Sequence, residues 1–132
     1  MTKLSQPMLP LRVCLVEDNL TLQRLFLLLL KKSGFEVTAF DHGKPAIEWI
    51  LKNKPDVVLL DIMLPDMNGA DILKHLRLKM PRNLMTVALT AYANAADKEK
   101  FMRDGFDGFI PKPINPQTFI GELEEMYREV HK

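Results

Sequence analysis

The sequence predicts an α/β protein of the doubly wound type, in which a five-stranded parallel sheet is covered by helices on both faces. Five short β-type runs alternate along the chain with five helical patterns, as is usual for such a sheet. One of the runs, Val57–Leu60, is apolar at every position, which is typical of a central strand buried on both sides. The length of 132 residues suits one domain of ordinary size.

The elements follow in a regular order. The predicted strands are Arg12–Val16, Glu36–Phe40, Asp56–Leu60, Met85–Leu89 and Gly108–Ile110. The predicted helices run from near Asn19 to Gly34, from the turn that contains Pro45 to near Asn53, from just after Gly69 to about Lys79, from about Asn94 to Asp104, and onward from Asn115 as cap with Pro116 in the first helical position. The helix boundaries rest on capping residues, on glycine stops and on prolines in first turns.

Composition excludes several classes of function. Eighteen basic residues against 17 acidic ones give a charge of +1, and no basic stripe suggests direct binding of nucleic acid. The longest apolar run, Leu25–Leu30, is far shorter than the roughly 20 residues of a membrane-spanning helix. Cys14, the only cysteine, permits no internal disulfide and fits a reducing, cytoplasmic location. Residues 1–10 are expected to form a flexible tail, and residues 11–132 the domain.

Chemistry-bearing residues follow four of the predicted strands. They are Glu17 and Asp18 after the first strand, Asp61 after the third, Thr90 after the fourth and Lys112 after the fifth. Ligands of open α/β sheets bind beyond the carboxyl ends of the strands. If the first and third strands are neighbours, three carboxylates converge and repel one another unless a cation compensates them. Ligation by carboxylates alone favours Mg²⁺ over zinc.

Each of these residues also has an ordinary structural explanation. Asp18 and Asn19 could simply cap the first helix, Asp61 could end a strand in a turn, Thr90 could be a β-branched strand residue, and Lys112 a solvated surface charge. Any one of these explanations is acceptable by itself. Chance does not readily place five such residues at the ends of four strands, so the set predicts a functional site.

Four stretches of the sequence resemble the receiver domains of bacterial response regulators. They are LVEDN at Leu15–Asn19, VVLLDIMLPDMNG at Val57–Gly69, LTAYA at Leu89–Ala93 and GFIPKP at Gly108–Pro113. The resemblance covers Leu11 to about Glu129, nearly the whole chain. It implies a flavodoxin-like (βα)5 fold with strand order 2-1-3-4-5, an order that the spacing of the runs does not itself provide.

The resemblance also implies a role for each site residue. Asp61 would accept a phosphoryl group. Asp18, Asp61 and the backbone carbonyl of Met63 would bind Mg²⁺ directly, and Glu17 would act through water. Thr90 and Lys112 would contact the phosphoryl oxygens, Phe109 together with Thr90 would form the conformational switch, and the bond between Lys112 and Pro113 would be cis.

The implied function is that of a phosphoacceptor in a two-component phosphorelay. A histidine kinase or a histidine phosphotransfer protein would donate the phosphoryl group, and a protein partner would respond to changes in the fourth helix, fifth strand and fifth helix. Such a chain catalyses only its own phosphorylation and dephosphorylation, and it is either a stand-alone regulator or part of a larger protein. A phosphatase of the haloacid dehalogenase type is the alternative, but it requires a second aspartate where this sequence has Met63.

Two positions are expected to set how long the phosphorylated state lasts. Met63 and Tyr92 lie two residues beyond the acceptor and the switch threonine, respectively, where a hydrolytic water must approach. Neither side chain is well suited to orient that water, so we expect slow self-dephosphorylation. Neutral variation at both positions is the alternative.

The first helix predicts where a partner docks. Helical spacing puts Leu22, Leu25, Phe26, Leu29 and Leu30 on one buried face. It leaves Leu27 and Leu28 on the opposite side, where an adjacent pair of exposed leucines could bind a partner helix. The N-terminal tail, through Met8 and Leu9, could cover the same surface instead.

Overall fold

The computed structural model describes residues 11–80, 84–91 and 94–131. The strands are β1 (Arg12–Val16), β2 (Glu36–Phe40), β3 (Val57–Asp61), β4 (Met85–Thr90) and β5 (Gly108–Pro111). The helices are α1 (Leu20–Lys32), α2 (Gly43–Asn53), α3 (Gly69–Lys79), α4 (Ala95–Asp104) and α5 (Phe119–Val130). The strict alternation of strand and helix is the predicted one, and the predicted tail, residues 1–10, lies outside the described residues.

All five strands pair in parallel, in the order β2-β1-β3-β4-β5. Val57 of β3 lies opposite Val13 of β1 on one side and Met85 of β4 on the other. The predicted fold class and strand order are therefore confirmed. Because β1 and β3 are neighbours, the residues that follow them meet at the same edge of the sheet.

Alternate residues of the strands enter two different cores. The core beneath α1 and α5 contains Val13, Leu15, Val57 and Leu59, with the rings of Phe26 and Phe119 packed edge to face at 5.1 Å between centroids. The core on the opposite face is formed with α2, α3 and α4 and contains Cys14, Val16, Val58 and Leu60. Burial raises the pKa of the Cys14 thiol, which is thus an inert packing residue.

The prediction that Leu27 faces solvent is wrong. Leu27 is partly buried and packs against the core between the sheet and α5, whereas Leu28 is 62% exposed. The reason is that α1 contacts both the sheet and α5, so its buried face is wider than the stripe that packing on one neighbour requires. Phe26 and Leu30 are fully buried at the centre of this face.

The other differences lie at element ends. The fifth helix begins at Phe119, not at Asn115. Residues 116–118 form a turn in which the Asn115 side chain accepts a hydrogen bond from the amide of Gln117 and its carbonyl accepts one from Phe119. Asn115 therefore caps this turn as predicted, but regular helix starts one turn later. Strand and helix ends elsewhere agree within two residues, as usual for such boundaries.

Candidate functional site

Three carboxylates meet at the carboxyl edge of the sheet. One oxygen from each of Glu17, Asp18 and Asp61 lies within 4.8 Å of the others. Glu17 is completely buried, Asp61 is 6% exposed and Asp18 is exposed. The convergence predicted from the strand ends is present because β1 and β3 are adjacent.

The structure separates the capping role at the start of α1 from the acidic cluster. Asn19 is the N-cap, and its side chain accepts a hydrogen bond from the amide of Leu22 at 3.0 Å. The amide of Asn19 in turn donates to Oε2 of Glu17 at 3.1 Å. Asp18 is thus not needed as the helix cap, and its carboxylate belongs to the cluster.

Lys112 brings one positive charge to the three acids. Its Nζ lies 2.8 Å from Oε1 of Glu17 and 3.2 Å from Oδ2 of Asp61. The Lys112 amide donates to the Thr90 carbonyl at 2.7 Å, which fixes the backbone of the lysine at the end of β4. The bond between Lys112 and Pro113 is cis, as expected.

Burial, hydrogen bonds and neighbouring charges shift the pKa values of Asp61 and Lys112. Burial of the Asp61 carboxyl raises its pKa, the Met63 amide lowers it and the charge of Glu17 raises it, so the pKa lies above its usual range. For Lys112, burial lowers the pKa, but the hydrogen bond to Glu17 and the charge of Asp61 outweigh this, and the pKa is raised. Lys112 is therefore a fixed cation at neutral pH.

A compact loop holds Asp61 in place. Its Oδ1 accepts a hydrogen bond from the Met63 amide at 3.1 Å, while its Oδ2 faces Lys112. Farther along, the Gly69 amide donates to the Ile62 carbonyl at 2.7 Å. A Cβ on Gly69 would lie 3.1 Å from Cα of Ile62, so glycine permits this close return of the chain.

A cavity of about 210 Å³ opens beside Asp61. It is lined by Asp61, Ile62, Met63, Thr90, Ala91 and Lys112. Thr90, the last residue of β4, is 2% exposed. Since a water molecule takes up about 30 Å³ in the liquid, the cavity has room for a phosphoryl group and several waters. The side chain of Met63 stands at its edge and is 63% exposed.

Phe109 is the second residue of the predicted conformational switch, with Thr90 as the first. The residue is half-buried on β5 and packs against the core beneath α2, α3 and α4. Nζ of Lys98, on α4, lies 5.1 Å from the centroid of its ring, within the range of a cation–π contact. Sequence analysis did not identify this contact, because it joins two elements that periodicity treats separately.

The donor set fits a divalent cation. Among the described residues, the Lys112 ammonium pairs with Glu17 and Asp61, so the cluster keeps an excess of negative charge when all three acids are ionised. Oxygen ligands of this kind, next to a cavity large enough for waters, are what Mg²⁺ prefers. The structure thus brings together Glu17, Asp18, Asp61, Thr90 and Lys112, with Met63 at the edge.

An apolar groove of about 690 Å³ runs beside the acidic cluster. It is lined by Asn19, Thr21, Leu22, Leu25, Ala91, Lys112 and Pro113. Leu28 follows Leu25 by three residues, which places it on the same side of α1. Tyr92, the second residue expected to affect the lifetime of phosphorylation, lies outside the described residues.

The family model of the response regulator receiver domain matches residues 13–124. The polar-differentiation response regulator DivK of Brucella anthropi is 34% identical over 117 residues, which are 88% of this chain and 95% of that protein. Hybrid signal transduction histidine kinase I of Dictyostelium discoideum is 36% identical over 118 residues. The alignment covers 83% of this chain but only 7% of the kinase.

Solved structures agree with these sequence matches. The chemotaxis response regulator CheY4 of Vibrio cholerae aligns with a TM-score of 0.82 at 25% identity, covering 89% of this chain and 99% of that one. The receiver domain of a sensor histidine kinase from Pseudomonas aeruginosa aligns with a TM-score of 0.79 at 26% identity, covering 94% and 100%. That structure holds a magnesium ion coordinated in its active-site cleft.

Proposed function

Because the chain belongs to the response regulator receiver domains of two-component signalling, we propose that Asp61 accepts a phosphoryl group from a phosphohistidine and that the chain changes conformation in response. The observation that carries this proposal is the meeting of Asp61 with two further carboxylates and the Lys112 ammonium beside a cavity. The donor is a histidine kinase or a histidine phosphotransfer protein. The proposed place of action is the cytoplasm. None of the described helices has the length and apolar character to cross a membrane.

The reaction is a displacement at phosphorus. A carboxylate oxygen of Asp61 forms a bond to the phosphorus atom and the bond from phosphorus to the histidine nitrogen breaks. The other ring nitrogen of the phosphohistidine carries a proton, so the imidazole leaves as the neutral ring. Phosphoryl transfer depends mainly on positioning and electrostatic stabilisation. The Met63 amide and Lys112 orient Asp61 through its two oxygens, and Lys112 with the Thr90 hydroxyl stabilises the charge of the phosphoryl oxygens.

The three carboxylates and Met63 define the proposed metal site. Asp18, Asp61 and the Met63 carbonyl would bind Mg²⁺ directly, and Glu17 would act through water. When bound, Mg²⁺ neutralises the charge of the phosphoryl oxygens. Glu17, which is completely buried, holds Lys112 toward Asp61 through its 2.8 Å ion pair.

The proposed conformational response joins Thr90 to Phe109. Thr90 moves toward the acyl phosphate, Phe109 rotates into the space it leaves, and the surface of α4, β5 and α5 changes for a protein partner. This is a shift between two states of one chain. Lys98 takes part because its ammonium contacts the Phe109 ring. No nucleic acid or membrane takes part in the proposed output.

The dependence on metal tests the proposed function directly. The wild-type chain is incubated with phosphoramidate, and the mass of the intact protein is followed with time. With Mg²⁺ we expect one added phosphoryl group per chain, and with a chelator a rate about 100-fold lower, since the metal contributes several kcal/mol to such transfers. Equal rates with and without Mg²⁺ would contradict the metal site.

Met63 is proposed to prolong the phosphorylated state. Its thioether, exposed at the edge of the cavity, is a weak hydrogen-bond acceptor and orients water poorly. Asparagine at this position supplies an amide, so Met63→Asn is expected to shorten the half-life of the phosphorylated chain roughly threefold. The decay of the mass adduct after removal of the donor measures it. Tyr92→Glu is expected to act in the same direction, and unchanged or longer half-lives would refute the idea.

The groove along α1 is proposed to receive the helix that carries the phosphohistidine. Leu28 is 62% exposed at the end of this surface, and burying such a side chain contributes about 2 kcal/mol. Leu28→Ser is therefore expected to lower kcat/KM for transfer from the cognate donor about tenfold while phosphorylation by phosphoramidate stays unchanged. Leu27 is left unchanged in this test, because it is partly buried and packs against the core beneath α1 and α5.

The matched control is Leu78→Ser. Leu78 is 83% exposed on α3, which lies on the opposite face of the sheet from α1. The control is expected to leave transfer unchanged. If both substitutions slow transfer equally, or if Leu28→Ser has no effect, α1 is not the docking surface.

A further inference from the structure

The loop that carries the phosphoacceptor is tied to a helix that contributes no residue to the proposed site. Asp66 lies in this loop, and its two carboxylate oxygens accept hydrogen bonds from the first amides of α2. Oδ1 is 2.7 Å from the amide nitrogen of Gly43, and Oδ2 is 3.0 Å from that of Lys44. The partners are more than 20 residues apart in the sequence, so Asp66 caps α2 from another part of the chain.

The helix has no cap of its own. His42 occupies the N-cap position but makes no side-chain hydrogen bond to the helix, and its Nδ1 is instead 2.8 Å from Oδ1 of Asp41. The first amides of a helix need acceptors, and a negative charge there is favourable. Asp66 meets both needs of α2.

Asp66 is ionised in this position at neutral pH. The small loss of solvation raises the pKa of its carboxyl, but the hydrogen bonds from Gly43 and Lys44 outweigh it, and the pKa lies below its usual range. The start of α2 also packs against the loop that contains Asp66. A Cβ on Gly43 would lie 3.2 Å from Sδ of Met67, the residue after Asp66, so the start of α2 touches the loop closely.

The loop between Asp61 and Gly69 is therefore anchored at two points. At its base, the Gly69 amide is bonded to the Ile62 carbonyl. At its tip, Asp66 is bonded to α2. Met63 lies between these anchors and is paired with Asn68 across the loop in an antiparallel bridge. Together with the hydrogen bond from the Met63 amide to Asp61, the two anchors limit how far the backbone of Met63 can move.

We propose that Asp66 is a positioning residue of the metal site, which fixes the backbone of Met63 by clamping the tip of the acceptor loop to the start of α2. This rests on the proposed function, since Met63 offers its carbonyl to Mg²⁺ only there. Asp66 touches neither metal nor phosphoryl group, and its effect is on the arrangement of the ligands. Residues that orient metal ligands from outside typically change affinity about tenfold or more when replaced.

The test measures the dissociation constant of Mg²⁺ by calorimetry on the full chain, without a phosphodonor. Asp66→Ala removes both acceptors and is expected to raise this constant about tenfold. Asp66→Asn keeps one acceptor oxygen and is a good cap, so we expect an increase of only about threefold. Asp71→Ala, which removes an exposed acid from the first turn of α3, is the charge control and is expected to stay within about twofold of wild type.

Thermal unfolding of each variant separates positioning from loss of stability. Loss of the cap lowers the melting temperature in either case, whereas only a positioning role weakens Mg²⁺ binding in folded protein. If Asp66→Ala binds Mg²⁺ with the same affinity as the wild type, the proposal is overturned. Equal weakening in Asp66→Ala, Asp66→Asn and Asp71→Ala would also overturn it, because the cause would then be charge alone.

Two further outcomes are decisive. If Asp66→Ala does not fold, Asp66→Asn carries the test, and an unchanged affinity in that variant overturns the proposal. If the wild-type chain itself binds no Mg²⁺, the proposed metal site fails and the role of Asp66 fails with it. A wild type that binds normally beside an unaffected Asp66→Ala overturns only the role of Asp66.

Discussion

Asp61→Asn is expected to abolish the phosphoryl adduct that forms on the wild-type chain with phosphoramidate and Mg²⁺. The amide of asparagine is not a nucleophile toward phosphorus, and no other carboxylate of the cluster has the surroundings of Asp61. Oδ1 of Asp61 is held by the Met63 amide and Oδ2 by Lys112, whereas Glu17 is completely buried and Asp18 is exposed. Intact mass measurement over the same time course checks the result, and equal labelling of the variant would contradict it.

The same substitution is expected to stabilise the metal-free chain. The pKa of Asp61 is raised in the folded state, so the folded protein binds this proton more tightly than the unfolded one. Its ionisation therefore lowers stability as pH rises from the ordinary value of 3.8 through the raised folded value. Asparagine removes this component.

We expect Asp61→Asn to increase the free energy of unfolding at neutral pH on the order of 1 kcal/mol, with no such gain below pH 3.8. Denaturant unfolding at both pH values, in the presence of a chelator, measures it. Asp41→Asn is a suitable control, because Asp41 is an exposed acid paired with His42 and not with the cluster. Lower stability of Asp61→Asn at neutral pH would show that the Lys112 ion pair outweighs burial and the charge of Glu17.

Lys112→Met is expected to have the second largest effect. The ammonium is the charged group that would contact the phosphoryl oxygens, and removing one such preorganised contact costs about 100-fold in rate. We therefore expect phosphorylation by phosphoramidate at saturating Mg²⁺ to be about 100-fold slower. Lys32→Met is the control, since Lys32 is an exposed residue in the last turn of α1, at the end of that helix opposite the acidic cluster. A rate within about threefold of wild type would contradict the role of Lys112.

The Lys112 variant also reports on Glu17. Without the ammonium, a completely buried carboxylate faces Asp61 with no counter-ion, and breaking a buried ion pair in this way costs about 3 kcal/mol. The metal-free variant is expected to melt at a lower temperature than wild type, and saturating Mg²⁺ is expected to restore part of the loss. Calorimetric melting with and without Mg²⁺ provides this comparison.

Most of the site could be predicted from the sequence because its residues follow strand ends. A parallel sheet brings such residues to one edge whatever the loops between them do, and so Glu17, Asp18, Asp61 and Lys112 were found without knowledge of their contacts. The strand order was needed to bring β1 beside β3, and it came from the resemblance. What the sequence could not decide was which of Asp18 and Asn19 caps α1, since both are good caps.

The failures have a different origin. Leu27 was placed in solvent because helical periodicity allows for one neighbour, whereas α1 packs against both the sheet and α5. The role of Asp66 was not predicted, because a cap on a helix more than 20 residues away leaves no local pattern. The contact of Lys98 with Phe109 was missed for the same reason. Contacts between elements distant in sequence depend on packing, which a local pattern does not encode.

The central claim is that the phosphoryl group resides on Asp61, and chemical trapping tests it most directly. Borohydride reduces an acyl phosphate to the alcohol and so converts a phosphorylated aspartate into homoserine, which peptide mass spectrometry can locate. After incubation with phosphoramidate and Mg²⁺, we predict homoserine at position 61 and unmodified aspartate at position 18. Homoserine at any other acid, or labelled protein without homoserine, would contradict the account.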